Sequence, residues 1–210
     1  MIRLMLADDH VMLRQGLRSQ FSQHPDMEVV GEAGHPAELL RKLPPLRPDV
    51  LILDLHYPGS NAMTLLPQIR HVCPGCKIVI LTMYDHVRYA SQTLKNGASG
   101  FVVKGSPFEE LLQAVREVHR NRTFICAAMK DRVAVQKPRG RRQDELSELS
   151  SREFEVLILL GNGLAMKEIA AQLHVSGKSV DTYRARIQKK LQLKSKADLI
   201  RYTLENGLVR

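Results

Sequence analysis

The sequence lacks the features of secreted, disulfide-linked and membrane-spanning proteins. Its 210 residues include only three cysteines, too few for a disulfide framework in a chain of this length. No apolar run approaches the roughly 20 residues that a membrane span requires. The first residues enter a strand-like pattern directly and have no signal-peptide layout. We therefore expect a cytoplasmic protein with no membrane partner.

The cysteines offer little for a metal centre or a redox reaction. Cys73 and Cys76 have the C-x-x-C spacing that is typical of redox pairs and of half a zinc site. No second C-x-x-C and no H-x-x-x-H completes a four-ligand set. The intervening Pro-Gly is equally typical of a plain turn, which is the favoured interpretation, with a functional pair left open.

Acidic residues are scarce in the C-terminal part of the chain. Residues 126–210 carry 17 Lys and Arg against 10 Asp and Glu, whereas residues 1–125 carry 14 against 12. The net charges are therefore +7 and +2. This distribution favours a polyanionic partner for the C-terminal part, with nucleic acid first among them. A merely solubilising basic surface is the alternative.

The first 120 residues alternate between two hydrophobic patterns. Short, continuous runs of Val, Ile and Leu are separated by stretches with helical period, which predicts an α/β fold with a doubly wound, five-stranded parallel sheet. We expect strands near residues 2–6, 27–31, 49–53, 77–81 and 100–103.

The C-terminal part has a purely helical pattern. Capping boxes begin at Ser150 and Ser195, and Ser176 is a plausible N-cap for a long helix. A small all-α domain of four helices is expected. The predicted boundaries are a first domain at 1–121, a linker at 122–145 and a second domain at 146–210. The linker has little apolar periodicity and a basic stretch with helix breakers; contact with DNA phosphates is a weaker alternative for it.

Four of the apolar runs end in residues that suit phosphoryl chemistry: Asp8 and Asp9, Asp54, Thr82, and Lys104. The carboxyl ends of parallel strands meet at one edge of a sheet, so these side chains should converge. The carboxylates suit Mg²⁺ or Mn²⁺, and an Asp can form an acyl phosphate. Lys104 and Thr82 can then contact the phosphoryl oxygens. Each residue alone is also typical of a cap or turn; their joint occurrence favours a phosphoryl-accepting site.

The same segments resemble a bacterial response-regulator receiver domain over residues 1–120. The resemblance is carried by Ala7-Asp8-Asp9-His10, Leu53-Asp54-Leu55, Leu81-Thr82-Met83 and the segment from Gly97 to Lys104. It implies a flavodoxin-like fold and phosphorylation of Asp54 by a sensor histidine kinase. It also implies a cation site formed by Asp8, Asp9, Asp54 and the backbone carbonyl of His56, and a switch pair formed by Thr82 and Phe101.

The chain departs from the receiver pattern at two places. Asn61-Ala62 stands where the family usually has Asp-Gly, and Gly105 stands where many receivers have Pro. Loss of that glycine can stiffen or reshape the loop, because Gly adopts backbone angles that Ala resists. Neither departure removes a chemical group.

The basic residues of the second domain cluster within one predicted helix and its end. Residues 178–196 contain seven cations and only one acidic residue, Asp181. A short helix, a turn with Gly and a second helix carrying cations predict a helix-turn-helix from Ala165 to Arg184. The expected DNA-binding residues are Lys178, Asp181, Thr182, Tyr183, Arg184, Ala185, Arg186 and Lys189. A solvated face of a protein-binding bundle is the alternative.

This domain resembles the LuxR-type DNA-binding domain, so that the whole chain is similar to NarL/FixJ-type response regulators. The resemblance lies in Leu149-Ser150-Ser151-Arg152-Glu153, Lys167-Glu168-Ile169-Ala170 and the segment Val175 to Tyr183. It implies a transcription regulator that binds double-stranded DNA and dimerises when phosphorylated. Ala165 replaces the usual Ser cap, at a cost of about 1 kcal/mol to the helix.

Two other functions remain open at this point. One is a phosphorylation-independent DNA-binding dimer, in which the receiver is only a scaffold; the Asn61-Ala62 departure is its sole support. The other is a Mg²⁺-dependent phosphotransferase or phosphatase with Asp54 as nucleophile, for which the sequence supplies no second catalytic acid. We expect a regulator that is not an enzyme, beyond catalysing its own phosphorylation and dephosphorylation.

Overall fold

The computed structural model describes residues 1–57, 60–83, 87–130, 146, 148–173, 175–206 and 208–209. The chain forms two compact units, residues 1–135 and 136–210. Most of the predicted linker, residues 131–145, lies outside the described residues. No helix in the described part of the chain is both long enough and apolar enough to cross a membrane.

The first unit is built around a parallel sheet. Its strands are β1 (Ile2–Ala7), β2 (Met27–Ala33), β3 (Val50–Asp54), β4 (His56–Tyr57), β5 (Ser60–Asn61), β6 (Lys77–Thr82), β7 (Gly100–Val103) and β8 (Phe124–Ile125). Six of them lie in the order β2-β1-β3-β6-β7-β8, and every neighbouring pair is parallel. The short strands β4 and β5 pair separately as an antiparallel hairpin. The α/β, flavodoxin-like prediction is confirmed.

Helices connect successive strands of the sheet. They are α1 (Val11–Phe21), α2 (Pro36–Leu46), α3 (Ala62–Val72), α4 (Val87–Lys95) and α5 (Phe108–His119). The central strand β3 is buried along its whole length, as expected for a strand covered on both faces. Its continuous run Val50-Leu51-Ile52-Leu53 therefore reflects burial on both sides.

The sheet has a sixth strand that the sequence analysis assigned to the linker. The β8 backbone extends the sheet because the Phe124 N–H donates to the Ser99 carbonyl at 3.1 Å and the Cys126 N–H donates to the Phe101 carbonyl at 3.0 Å. Phe124, Cys126 and Met129 are buried. The prediction of five strands was thus one short, because a two-residue strand leaves no periodicity in the sequence.

The described part of the second unit contains four helices of seven or more residues, which confirms the four-helix prediction. They are α6 (Ser151–Gly161), α7 (Met166–Gln172), α8 (Gly177–Lys190) and α9 (Lys196–Glu205). Ser150, Ser176 and Ser195 cap three of them through side-chain oxygens. Helix α7 begins without a side-chain cap at Ala165, although the Glu168 carboxylate accepts the Ala165 N–H at 2.6 Å.

Candidate functional site

The register of the sheet brings the predicted acidic site together at its carboxyl edge. Strand β3 ends at Asp54, which lies opposite Leu81, so that Thr82 is one residue further along β6. Asp8 follows β1, which neighbours β3, and Lys104 follows β7. Asp8 and Asp54 are each only 4% exposed, and Thr82 is fully buried. Residues almost a hundred positions apart in sequence therefore share one site.

Lys104 lies between the two buried carboxylates. Its Nζ is 2.8 Å from Asp54 Oδ2 and 2.7 Å from Asp8 Oδ2. The backbone N–H of Lys104 donates to the Thr82 carbonyl at 2.7 Å, which holds the residue at the edge of the sheet. Burial works against the ammonium charge, but Asp54 and Asp8 outweigh it and hold the pKa of Lys104 above its ordinary value. Lys104 therefore carries its positive charge beside both buried carboxylates.

A third carboxylate, Asp9, lies beside the two that Lys104 contacts, so in the described part of the chain this edge holds more carboxylates than lysines. Potential ligand atoms of Asp8, Asp9, His10 and Asp54 all lie within 4.8 Å of one another. Asp9 Oδ1 is buried and accepts no hydrogen bond from the described part of the chain. Hard divalent cations prefer such carboxylate oxygens, so the residues present fit a divalent cation.

Two residues at this edge were not singled out by the sequence analysis. His10 Nδ1 lies 3.0 Å from Asp8 Oδ1 and 2.9 Å from Asp9 Oδ1. The Arg14 guanidinium donates to the Asp8 carbonyl and pairs with Glu32 at 3.3 Å. The signal for both was local: His10 follows the Asp pair directly, and Arg14 lies one helical turn later.

The remaining predicted receiver residues are Phe101 and the backbone carbonyl of His56. Phe101 is fully buried in β7 and lies opposite Ile80, two positions before the pair formed by Thr82 and Val103. Its carbonyl accepts the Cys126 N–H, so that β8 is bonded directly to it. The backbone of His56 lies in β4, two residues after Asp54.

Cys73 and Cys76 lie at the opposite edge of the sheet. Both are buried, and the Cys76 N–H donates to the Cys73 carbonyl at 3.1 Å in a turn that leads into β6. Burial, together with the neighbouring Cys73 thiol, raises the pKa of Cys76. A reactive thiol requires the opposite shift, which favours the plain turn.

The predicted DNA-binding residues all lie on helix α8. Its inner face is formed by Val180 and Ile187, both fully buried. The exposed residues are Lys178, Asp181, Thr182, Ala185, Arg186 and Lys189, whereas Tyr183 and Arg184 are half-buried. Arg184 pairs with Asp181 at 2.9 Å, so these two charges largely offset each other. The other three cations of this face, Lys178, Arg186 and Lys189, are exposed and can reach a polyanion.

A network of buried ion pairs supports this helix, and the sequence analysis missed it. Glu153 is 3% exposed and pairs with Lys190 Nζ at 2.7 Å. Burial alone would raise the pKa of Glu153, but hydrogen bonds from Lys190 and Ser150 hold it below its ordinary value. Glu155 is 1% exposed and pairs with Arg152, which also donates to the Leu173 carbonyl at 2.7 Å. Lys190, one of the seven cations of residues 178–196, therefore has a structural role.

A flavodoxin-like sheet with an acidic cluster and a lysine at its carboxyl edge, followed by a helix-turn-helix unit, defines a class: the DNA-binding response regulators. Residues 4–116 match the family described as response regulator receiver domain, and residues 147–203 match bacterial regulatory proteins of the luxR family. The chain belongs to the two-component response regulators that combine a receiver with a LuxR-type DNA-binding domain. It is thus a DNA-binding transcription regulator of a two-component system.

Individual relatives extend over almost the whole chain. The oxygen regulatory protein NreC of Staphylococcus carnosus is 38% identical over 99% of both chains. A structure of two RcsB dimers bound to two parallel DNAs has a TM-score of 0.61 and 28% identity, with 97% of this chain and 98% of RcsB covered. The isolated receiver domain of RcsB from Salmonella enterica serovar Typhimurium, with the phosphomimetic BeF3⁻, has a TM-score of 0.58 and 29% identity over 63% of this chain and 97% of that domain.

Proposed function

We propose that Asp54 is the phosphoacceptor of a switch that controls DNA binding by helix α8. The observation that carries this proposal is the contact of Lys104 with both Asp54 and Asp8 at the edge of the sheet. A lysine held between two buried carboxylates has its charge placed where an incoming phosphoryl group needs it.

The phosphoryl donor is a phosphorylated histidine of a sensor kinase. A carboxylate oxygen of Asp54 forms a bond to phosphorus while the phosphorus–nitrogen bond of the donor breaks, and the electron pair returns to the donor imidazole. Lys104 stabilises the phosphoryl oxygens, and the Thr82 hydroxyl bonds the same group after transfer. The receiver thereby catalyses its own phosphorylation and, with water as acceptor, its dephosphorylation.

The cation in this proposal is Mg²⁺ or Mn²⁺. Asp8, Asp9, Asp54 and the backbone carbonyl of His56 would hold it, and the buried Asp9 Oδ1 without a hydrogen bond supports that assignment. When bound, the cation offsets the repulsion between the carboxylates and the phosphoryl oxygens. The protein residues orient the acceptor and keep Asp54 largely buried.

Thr82 and Phe101 transmit the change. Both are fully buried, so movement of Thr82 toward the phosphoryl group leaves space that the aromatic ring can fill. The rearranged face would favour a homodimer, by analogy with the RcsB dimers bound to DNA. We propose domain boundaries at 1–121, 122–145 and 146–210, with residues 124–130 folded onto the receiver.

Helix α8 reads double-stranded DNA in the bacterial cytoplasm. The exposed cations Lys178, Arg186 and Lys189, with the half-buried Arg184, supply phosphate contacts, and Asp181, Thr182, Tyr183 and Ala185 lie among them on the same helix. The span from Ala165 to Arg184 forms the helix-turn-helix.

The phosphorylation proposal is tested by the mass of the intact chain after incubation with Mg²⁺ and a small phosphodonor. We expect one phosphoryl group on the wild type and none on Asp54→Asn. Asp26→Asn is the matched control, because Asp26 is an exposed carboxylate paired with Arg116. An unmodified wild type would support a scaffold receiver, and rapid consumption of the donor would support an enzyme.

The DNA-binding proposal is tested with genomic DNA fragments, with and without BeF3⁻. Lys178→Ala and Arg186→Ala should weaken binding and reduce its salt dependence, since each lost phosphate contact lowers the salt slope by about one. Arg122→Ala, an exposed cation of the first unit, is the control. Equal losses in all variants would contradict the assignment of α8.

A further inference from the structure

The proposed cation site contains an imidazole beside its carboxylates. A ring nitrogen of His10 belongs to the group of four ligand atoms that lie within 4.8 Å of one another. We propose that His10 is a nitrogen ligand of the divalent cation and shifts the preference of the site from Mg²⁺ toward Mn²⁺. The inference rests on the proposed function, because it concerns the same cation site.

The distances around His10 match those between neighbouring ligands of one ion. In an octahedral site with bonds of about 2.1 Å, adjacent ligand atoms lie about 3.0 Å apart and opposite ones about 4.2 Å apart. His10 Nδ1 is 3.0 Å from Asp8 Oδ1 and 2.9 Å from Asp9 Oδ1. Both distances therefore suit His10 Nδ1 as a ligand adjacent to an Asp8 oxygen and an Asp9 oxygen on one cation.

A hydrogen bond explains only one of these two contacts. His10 Nδ1 is hydrogen-bonded to Asp8 Oδ1. Asp9 Oδ1 accepts no hydrogen bond from the described residues, although it is buried and 2.9 Å from the same nitrogen. A distance of 2.9 Å suits an ion pair with a protonated imidazole, and it equally suits two neighbouring ligands of one cation.

The backbone keeps the imidazole at the site. His10 is the N-cap of α1, and its N–H donates to Asp8 Oδ1 at 2.8 Å. The ring is 68% exposed, so that a cation and its remaining waters can reach it. Imidazole nitrogen suits transition-metal ions, whereas Mg²⁺ prefers oxygen and water. A nitrogen in place of one water should therefore strengthen Mn²⁺ binding more than Mg²⁺ binding.

The test uses the full chain with Mn²⁺ as the probe. Pulsed EPR of bound Mn²⁺ should show nitrogen coupling in the wild type and none in His10→Gln, which keeps a polar side chain at the N-cap. His119→Gln, an exposed histidine at the end of α5, is the control and should keep the coupling. The Mn²⁺ affinity of His10→Gln should fall about 10-fold, with a change of less than about 3-fold for Mg²⁺.

The outcomes separate this inference from the proposed function. Bound Mn²⁺ without nitrogen coupling in the wild type, or with coupling that survives in His10→Gln, overturns the role of His10 alone. A wild type that binds neither Mn²⁺ nor Mg²⁺ overturns the cation site itself, and with it the inference.

Discussion

At the carboxyl edge of the sheet, one lysine contacts two buried carboxylates and a third carboxylate lies beside them, whereas the buried glutamates described in the helical unit each have their own cation. Asp8 and Asp54 both contact Lys104. In the second unit, Glu153 pairs with Lys190 and Glu155 pairs with Arg152. Burial of a charge is costly unless it is paired. The unbalanced cluster of carboxylates is therefore suited to an added cation, and the balanced pairs suit a structural role.

The two units also differ in how they gather these residues. The acidic cluster comes from segments that are far apart in sequence and meet because parallel strands end at one edge. The cations of α8 come from a single helix and share a face by helical period. Chemistry in the first unit therefore depends on the register of the sheet, and binding in the second depends on one helix being held in place.

Removal of the cation from a balanced pair should have the largest effect. Lys190→Met leaves Glu153 buried without its partner, which should lower the unfolding free energy of the second unit by about 2–3 kcal/mol. The measurement is hydrogen exchange of the full chain in denaturant, followed by mass spectrometry of peptides from each unit. Lys189→Met, an exposed neighbour, is the control. Equal losses in both variants would show that the Lys190–Glu153 pair is not structural.

Removal of a carboxylate from the unbalanced cluster should raise the unfolding free energy instead of lowering it. Asp54→Asn relieves repulsion while Asp8 keeps its contact with Lys104, so the first unit should become more stable by about 1 kcal/mol without divalent cations. The wild type should gain stability with Mg²⁺, and the variant should gain less. The same exchange measurement reports both changes. Destabilisation of Asp54→Asn without metal would contradict repulsion among the carboxylates of this cluster.

The sequence predicted the sheet, the four-helix unit and the residues at the strand ends, because long apolar runs and capping boxes leave strong local signals. Asp54 and Thr82 proved to be the last residues of their strands. The strand β8 was missed, since two residues have no measurable period. The pairing of Lys190 with Glu153 was missed for another reason: it joins residues 37 positions apart through packing that no local pattern records.

The first unit also contains a carboxylate with its own cation, Glu38 with Lys42. This pair shows whether stability depends on the pairing of a carboxylate or on the unit in which it lies. The Glu38 carboxylate accepts Lys42 Nζ at 2.7 Å and the Gly34 N–H at 2.8 Å. These hydrogen bonds lower the pKa of Glu38 from 4.5 to about 2, and the bond from Lys42 makes the largest contribution. Because the folded pKa is the lower one, the carboxylate stabilises the fold above about pH 4.5, and this stability is lost as the pH falls toward 2.

Glu38→Gln should therefore destabilise the first unit near pH 7 by about 0.5–1 kcal/mol, a small effect because the pair is partly solvated. The difference in unfolding free energy between the variant and the wild type should shrink steadily below about pH 4.5, because Glu38 becomes protonated and is then as neutral as the Gln that replaces it. Hydrogen exchange across this pH range, corrected for the intrinsic rate, measures it, with the exposed Glu28→Gln as the control. If a carboxylate stabilises the fold whenever it has its own cation, Glu38→Gln should lower the unfolding free energy, as Lys190→Met does. This should hold although Glu38 lies in the same unit as Asp54. A stabilising Glu38→Gln would instead mean that carboxylates of the first unit are unfavourable even when each has its own cation, and the contrast would then be between units rather than between balanced and unbalanced carboxylates.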